Sequence, residues 1–222
     1  MLEEAPFAIE LSQPKVALAK DAELELKVSV VREDGFEDDI YLEAEWLPPG
    51  VSKQPPLIIP KGENEGKYRL SATQQARGGT YEITIVGREN EGGFPRTGVG
   101  FHYVAATPVT IEISDPYLSI TLERTAIEQG KTATITGKIN HLRTLPGKAQ
   151  AKLLRLPNGV SLVRESTINP NDETVVFEVA VEPDALVGQY QEIACDIAIT
   201  DSGQTIHQQT GSGVLRIDEK RK

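Results

Sequence analysis

The sequence contains a single cysteine, Cys195, and therefore cannot form an intrachain disulfide. It also lacks any run of about 18 or more apolar residues, which a membrane-spanning helix would need. Its first residues, 1–6 (MLEEAP), have neither the basic region nor the apolar region of a signal peptide. From these absences we expect no membrane insertion, no signal peptide within this chain, and domains that depend on hydrophobic burial.

Positive charge is scarce relative to negative charge. The chain has 23 Lys and Arg against 33 Asp and Glu, which gives a formal net charge of −10 at pH 7. Nucleic acid and anionic membrane surfaces repel such a protein, so we expect neither as a partner. Hydrophobic residues make up 39% of the chain, a proportion typical of a globular protein that buries a core.

An internal repeat organises the chain. Residues 47–52 (LPPGVS) recur as residues 156–161 (LPNGVS), at an offset of 109 positions. A period of this length matches one β-sandwich domain and is too long for a solenoid repeat. We therefore predict one domain over residues 6–113 and a second over residues 115–218, joined by a short linker at 114–116. The same offset maps Ala17 onto Ala126, Ile59 onto Ile168, Tyr68 onto Phe177 and Tyr81 onto Tyr190.

Alternation of apolar and polar residues indicates strands throughout, and sustained helical periodicity is absent. A strand has a side-chain period of two, so alternate residues share a buried face. A change of phase after Tyr190 predicts a β-bulge at Gln191 and Glu192. The predicted inward-facing residues are Leu24, Leu26, Val28, Val30; Ile40, Leu42, Ala44, Trp46; Tyr68, Leu70, Ala72; Tyr81, Ile83, Ile85; Val99, Phe101, Tyr103; Ala133, Ile135, Gly137, Ile139; Val175, Phe177, Val179, Val181; and Ile193, Cys195, Ile197, Ile199.

Both repeats place a Gly-x-Tyr sequence at the start of the penultimate strand, ending at Tyr81 and Tyr190. A tyrosine there can turn its hydroxyl back to the backbone, the tyrosine corner of β-sandwiches. The predicted fold class is therefore all-β, with two tandem immunoglobulin-like antiparallel β-sandwich domains.

Four features of the first repeat carry a resemblance to a known group of modules. They are Gly35-Phe36, residues 47–51 (LPPGV), residues 58–62 (IIPKG) and Leu70. The combination resembles Ig-like modules of large multidomain exported bacterial proteins, of the kind that accompany pre-peptidase C-terminal-type domains. The resemblance implies export to the periplasm, the cell surface or the medium, and a spacer or adhesion role. It implies other domains of the parent protein, or an extracellular protein or polysaccharide, as partners.

An acidic loop is the candidate metal site. Asp34, Glu37, Asp38 and Asp39 could supply oxygen ligands to Ca²⁺, which takes six to eight of them. Their spacing matches no EF-hand loop, so we favour a solvated loop between strands. Glu112 and Asp115, beside the linker, are an alternative calcium pair without the fuller acidic motifs that interdomain sites use.

Two aromatic residues are the candidate sugar platform. A pyranose ring packs on an exposed aromatic face, and Trp46 with Tyr41 offers the best pair, Phe94 and Tyr117 being further candidates. The alternation, however, places Trp46 on the inward face, where packing would explain it.

Signatures of catalysis are lacking. The three histidines, His102, His141 and His207, lie in different strands or loops without metal-ligand spacing. Residues 210–213 (TGSG) are not a nucleophile elbow, and no phosphate-binding loop precedes a helix. We therefore predict no cofactor and no enzymatic activity, and interpret the chain as a non-catalytic structural or interaction module, the alternative being a carbohydrate-binding module.

Overall fold

A computed structural model of the chain describes residues 5–53, 55–89 and 102–220. These residues form twenty β-strands and include no helix, so none of them forms a helix able to cross a membrane. The chain divides into two compact units, the first ending at Ser114 and the second beginning at Asp115.

The first unit is a sandwich of mainly antiparallel sheets. One sheet has the order β1-β3-β7-β5. The opposite layer consists of β6-β4-β9-β10 and of β2-β11-β8, in which β2 runs parallel to β11. Tyr68 of β7 crosses the core, and its hydroxyl accepts a hydrogen bond from the Ala44 N–H of β4 (3.0 Å). The strands are β1 (Phe7–Leu11), β2 (Leu18–Ala19), β3 (Ala22–Arg32), β4 (Ile40–Ala44), β5 (Val51–Lys53), β6 (Leu57–Ile59), β7 (Glu65–Ala72), β8 (Gly79–Ile83), β9 (Ile85–Glu89), β10 (Tyr103–Ala105) and β11 (Val109–Ser114).

The second unit repeats this arrangement. One sheet has the order β12-β14-β18-β16, and the other has the order β17-β15-β19-β20-β13, with β13 parallel to β20. The fully buried Gln208 side chain accepts from the Tyr117 N–H (2.8 Å) and donates to the Leu118 carbonyl, which ties the first strand to the opposite sheet. The strands are β12 (Leu118–Leu122), β13 (Thr125–Glu128), β14 (Thr132–His141), β15 (Ala149–Leu154), β16 (Val160–Leu162), β17 (Ser166–Ile168), β18 (Thr174–Val181), β19 (Gly188–Asp201) and β20 (Gln204–Asp218).

Both units share a segment that changes sheets. In the first unit β5 pairs with β7 in one layer, and the chain then crosses so that β6 pairs with β4 in the other. In the second unit β16 and β17 do the same with β18 and β15. The four short strands correspond residue by residue at the offset of 109. Together with the sheet orders, this shows two immunoglobulin-like β-sandwiches in tandem.

The repeated LPxGVS sequence forms a tight turn that packs under the following corner. The Val51 N–H donates to the Pro48 carbonyl (3.0 Å), and Gly50 has a φ of +81°, which favours glycine. A Cβ on Gly50 would lie 2.5 Å from the Ala76 Cα. Gly159 has the same conformation (φ +78°) against Ala185. The motif therefore has a structural role in both units.

The tyrosine corners predicted from the sequence are confirmed. The Tyr81 hydroxyl donates to the Arg77 carbonyl (3.1 Å), and the Tyr190 hydroxyl donates to the Leu186 carbonyl (2.7 Å). The bulge in β19 is confirmed too, since the register with β20 shifts after Tyr190 and Glu192 has a φ of +68°.

Two inward predictions are wrong. Trp46 is 55% exposed because β4 ends at Ala44 and the chain bends towards the following turn, so strand alternation no longer applies. Tyr103 is 57% exposed because a bulge separates β10 from β11. Between the pairs Ala105–Val86 and Val109–Ile83, three residues (106–108) face only two (84–85). The extra residue shifts the alternation by one position, so Tyr103 points outwards. Val99 and Phe101 lie outside the described residues.

Candidate interaction face

Four side chains form a row across the outer surface of the first unit. Ile58 of β6 lies opposite Tyr41 of β4, Tyr41 lies opposite Arg88 of β9, and Arg88 lies opposite Tyr103 of β10. Because side chains opposite one another point to the same side of a sheet, all four share one face. We call this row the aromatic face.

The row points away from the core. Tyr41 alternates with the buried residues Ile40 and Leu42, which fixes its side chain on the outer surface. At the two ends of the row, Ile58 and Tyr103 are 42% and 57% exposed. Exposed apolar and aromatic surface is therefore present on both sides of a central cation.

Arg88 holds the two tyrosines together. Its guanidinium carbon lies 4.5 Å from the centre of the Tyr41 ring, a cation–π contact. Its Nη2 donates to Glu43 Oε2 (3.2 Å), and Glu43 also accepts from the Lys53 ammonium. Burial acts to lower the pKa of Arg88, but hydrogen bonds to Tyr103 and Tyr41 outweigh it and raise that pKa. The row is thus a preorganised surface with a permanent positive charge.

The second unit shows that the sandwich does not require these residues. The corresponding row across β17, β15, β19 and β20 consists of Thr167, Gln150, Ala198 and His207. Gln150 and Thr167 stand at the offset of 109 from Tyr41 and Ile58. Since the same fold forms with polar or small side chains in these places, packing does not explain the aromatic face.

Tyr41 and Trp46, the candidate sugar platform, contact different neighbours. The Trp46 ring lies beside Tyr81, with ring centroids 6.4 Å apart and an interplanar angle of 48°. Tyr41 belongs to the aromatic face through Arg88. Tyr117 is buried in the second unit, and Phe94 lies outside the described residues. Trp46 therefore offers an exposed ring with Tyr81 as its neighbour.

The acidic loop is tied to the adjacent turn by Arg32. The Arg32 guanidinium donates to the carbonyls of Asp38 (2.6 Å), Pro60 (3.0 Å) and Glu63 (3.2 Å). It also lies over the Phe36 ring, 5.6 Å from its centre. The loop conformation is accounted for by these contacts.

Two carboxylates of the loop, those of Glu37 and Asp39, bond to Lys61. Asp39 Oδ1 accepts from the Lys61 N–H (2.9 Å), and Glu37 pairs with the Lys61 ammonium (3.5 Å), while Asp34 is exposed. Within the described ranges no group of three or more His, Cys, Asp or Glu is arranged to hold a metal ion. The structure does not bring the four calcium candidates together.

The histidines lie apart, each with its own partner. His102 Nδ1 lies 2.6 Å from Glu89 Oε1, and His207 Nδ1 lies 3.2 Å from Asp196 Oδ2. His141 Nε2 donates to the Asp172 carbonyl (2.8 Å).

Burial raises the pKa of the Cys195 thiol to about 12, so it remains protonated at neutral pH.

No protein-family model matches the chain, and no curated protein sequence matches it. Among solved structures, the D0-D1 domain of intimin aligns over 94% of this chain and 97% of its own, at 11% identity and a TM-score of 0.30. A protein of unknown function from Porphyromonas gingivalis aligns over 96% of this chain and 100% of its own, at 15% identity and a TM-score of 0.27.

A smaller structure aligns with only part of the chain. A type I cohesin from Pseudobacteroides cellulosolvens aligns over 48% of this chain and 95% of its own, at 7% identity and a TM-score of 0.28. At such TM-scores none of these similarities carries an argument about function. The strand orders themselves establish that the chain consists of two immunoglobulin-like β-sandwiches.

Proposed function

We propose that this chain is a non-catalytic interaction module of a larger exported or cell-surface bacterial protein, and that the aromatic face binds a protein partner. The observation that carries the proposal is the difference between the two units. One fold builds the same cross-sheet row twice, and only the first unit fills it with Ile58, Tyr41, Arg88 and Tyr103.

The chemistry of the row suits a protein interface. Tyrosine and arginine are enriched in interface cores, where aromatic rings bury large areas at low entropic cost. Tyr41 and Arg88 already hold each other in place, so little side-chain freedom is lost on binding. The second unit, with polar or small residues in the same places, serves as a structural spacer in this proposal.

Export is supported by the resemblance of the combination of Gly35-Phe36, residues 47–51, residues 58–62 and Leu70 to Ig-like modules of exported bacterial proteins. The partner on this account is another domain of the parent protein or a protein outside the cell.

The test replaces the aromatic face with residues that the fold already accepts. The variant Tyr41→Gln/Tyr103→His imports the side chains of Gln150 and His207, so we expect it to fold, with a loss of about 1 kcal/mol from the missing cation–π contact between Arg88 and Tyr41. The immobilised wild-type chain and the variant are exposed to the envelope and secreted proteins of the producing bacterium, and the bound proteins are quantified by mass spectrometry.

The matched control is Gln150→Ala/His207→Ala in the second unit. We expect at least one protein to bind the wild-type chain and this control and to be lost from Tyr41→Gln/Tyr103→His. An identical set of bound proteins on all three would refute the aromatic face as the binding surface.

Carbohydrate binding is the second candidate function, favoured by one specific observation. The exposed Trp46 ring beside Tyr81 offers a face on which a sugar ring can stack, whereas Arg155 occupies the equivalent position of the second unit. A panel of insoluble polysaccharides, with and without Ca²⁺, tests this. Retention on one polymer that Trp46→Ala abolishes supports it, and retention only with Ca²⁺ would instead implicate the acidic loop.

A further inference from the structure

The second unit begins with the only Asp-Pro bond of the sequence, between Asp115 and Pro116. The side-chain carboxylate of an aspartate lies close to the carbonyl carbon of the same residue, so it can attack that carbon without any other part of the chain moving. The proline nitrogen carries no hydrogen in the peptide bond, and it leaves as a secondary amine, a stronger base than the primary amine that other residues release. This bond therefore combines a nearby nucleophile with a leaving group that readily takes up a proton.

A guanidinium group bonds to the carbonyl of this peptide bond. Arg143, in the loop that follows β14, donates from Nη1 to the Asp115 carbonyl oxygen (3.2 Å). When a nucleophile adds to a carbonyl carbon, negative charge collects on the oxygen, and a charged donor stabilises it. Arg143 thus contacts the atom that becomes negative during cleavage of the bond.

Tyr117 holds Arg143 in place. The Arg143 guanidinium carbon lies 4.5 Å from the centre of the Tyr117 ring, and the Arg143 backbone N–H donates to the Tyr117 carbonyl (3.0 Å). Tyr117 itself is buried, and its N–H donates to the buried Gln208 side chain (2.8 Å). Because Tyr117 is fixed by the core and lies two residues from Asp115, the donor and the carbonyl are preorganised.

The first unit begins differently. The residues at the offset of 109 from Asp115, Pro116, Tyr117 and Arg143 are Pro6, Phe7, Ala8 and Asp34. In the first unit the Pro6 carbonyl accepts from the Glu33 backbone N–H (2.9 Å), so the backbone serves the carbonyl that Arg143 serves in the second unit. Since the same fold forms without these four side chains, the requirements of the sandwich do not explain them.

We propose that the chain cleaves itself between Asp115 and Pro116, with the Asp115 carboxylate as the nucleophile and Arg143 as the residue that stabilises the oxyanion. This activity goes beyond the proposed function. The reaction happens once in each chain and turns over no other molecule, so the chain remains an interaction module. The cut breaks the covalent link between the unit that bears the aromatic face and the second unit.

The reaction is a hydrolysis in two steps. In the first, an Asp115 carboxylate oxygen forms a bond to the Asp115 carbonyl carbon, and a cyclic anhydride results as the bond to the Pro116 nitrogen breaks. That nitrogen takes a proton from water and becomes the amino terminus of the second fragment. In the second step a water molecule opens the anhydride, which restores the side-chain carboxylate and leaves a terminal carboxylate on Asp115. Asp115 is exposed, so water has access to it.

The test compares the native and the unfolded chain at one mildly acidic pH, and circular dichroism confirms that the native sample is folded. Intact-mass spectrometry follows the appearance of fragments 1–115 and 116–222. In urea the Asp-Pro bond keeps its own chemistry but loses the contact with Arg143. We expect the native chain to cleave about tenfold faster than the unfolded chain. An equal or lower rate in the native chain would overturn the proposal.

Two variants assign the roles. Asp115→Ala removes the nucleophile, and we expect no cleavage at this position. Arg143→Gln removes the charged donor, so its rate in the native state should fall to that of the unfolded wild-type chain. Cleavage that persists in Asp115→Ala, or an unchanged rate in Arg143→Gln, would contradict the mechanism. The comparison of the native and unfolded wild-type chain decides the question even if a variant does not fold.

Two controls separate this reaction from other effects. Arg164→Gln makes the same charge change at an exposed position of the second unit, and we expect the wild-type rate of cleavage. An equal slowing in Arg164→Gln and Arg143→Gln would overturn the role of Arg143. Tyr41→Gln/Tyr103→His should also cleave at the wild-type rate, because the aromatic face takes no part in the reaction. Failure of protein binding and failure of self-cleavage are therefore separate results.

Discussion

Gly50 is predicted to be required for two separable reasons, its backbone conformation and its contact with the following corner. Both Gly50 and Gly62 have positive φ values, +81° and +79°. A Cβ added to Gly62 meets nothing within 4 Å, whereas one added to Gly50 lies 2.5 Å from the Ala76 Cα. Gly62→Ala therefore measures the conformational cost alone, and Gly50→Ala measures that cost plus the clash.

The expected magnitudes differ clearly. A left-handed conformation costs a residue with a Cβ about 1 kcal/mol or slightly more, which is the expected loss for Gly62→Ala. Forcing backbone apart in a packed region adds about 1–3 kcal/mol, so Gly50→Ala should lose about 2–4 kcal/mol.

Urea unfolding followed by tryptophan fluorescence measures the difference between these variants. Trp46 is the only tryptophan and lies in the first unit, so its signal reports on that unit. Equal losses for the two variants would show that the turn does not pack tightly under the corner, and the structural explanation of the repeated LPxGVS sequence would fail.

Three further predictions concern stability and reactivity. Ile135→Ala removes a buried side chain opposite Phe177 and should cost about 2–4 kcal/mol in chemical unfolding, whereas a loss below about 0.5 kcal/mol would show that its face is not inward. Cys195 should resist a thiol reagent at mildly alkaline pH in the native protein and react once urea unfolds it, because burial raises its pKa to about 12; rapid native modification would contradict this. A hydrogen bond from Lys67 lowers the pKa of Glu25 below 4.5, so Glu25 contributes stability above the ordinary carboxyl pKa that is lost as the pH falls through the lowered value. Glu25→Gln should therefore reduce the free energy of unfolding at neutral pH, and the two proteins should become equally stable in acid. A stability difference between them that grows as the pH falls would contradict this prediction.

The fold was predictable where strands are regular, because one period of two residues determines which side chains are buried. Leu24, Leu26 and Val28 follow this rule along the whole of β3. Trp46 and Tyr103 do not, since a strand end and a bulge change the phase. The sequence near Trp46 and Tyr103 does not clearly indicate the strand end or the bulge. The Pro48-Pro49-Gly50 turn shows only that β4 must end before residue 48.

The candidate site was predictable only in part. Tyr41 stood out as an aromatic residue, but its neighbours Arg88 and Tyr103 are distant in sequence and depend on strand register. One usable signal was present, namely that the repeat places Gln150 where the first unit has Tyr41. The hydrogen bonds from Arg32 to three backbone carbonyls could not be predicted from the sequence, because the positions of these carbonyls depend on how the turn folds.

Site-specific photocrosslinking tests the central claim, that the aromatic face binds a protein, most directly. A photoreactive phenylalanine analogue replaces Tyr103 in one variant and His207, its counterpart in the second unit, in another. Each variant is irradiated in the organism that produces the protein. We predict a discrete crosslinked protein from position 103 and none from position 207. The same products from both positions, or none from position 103, would contradict the account.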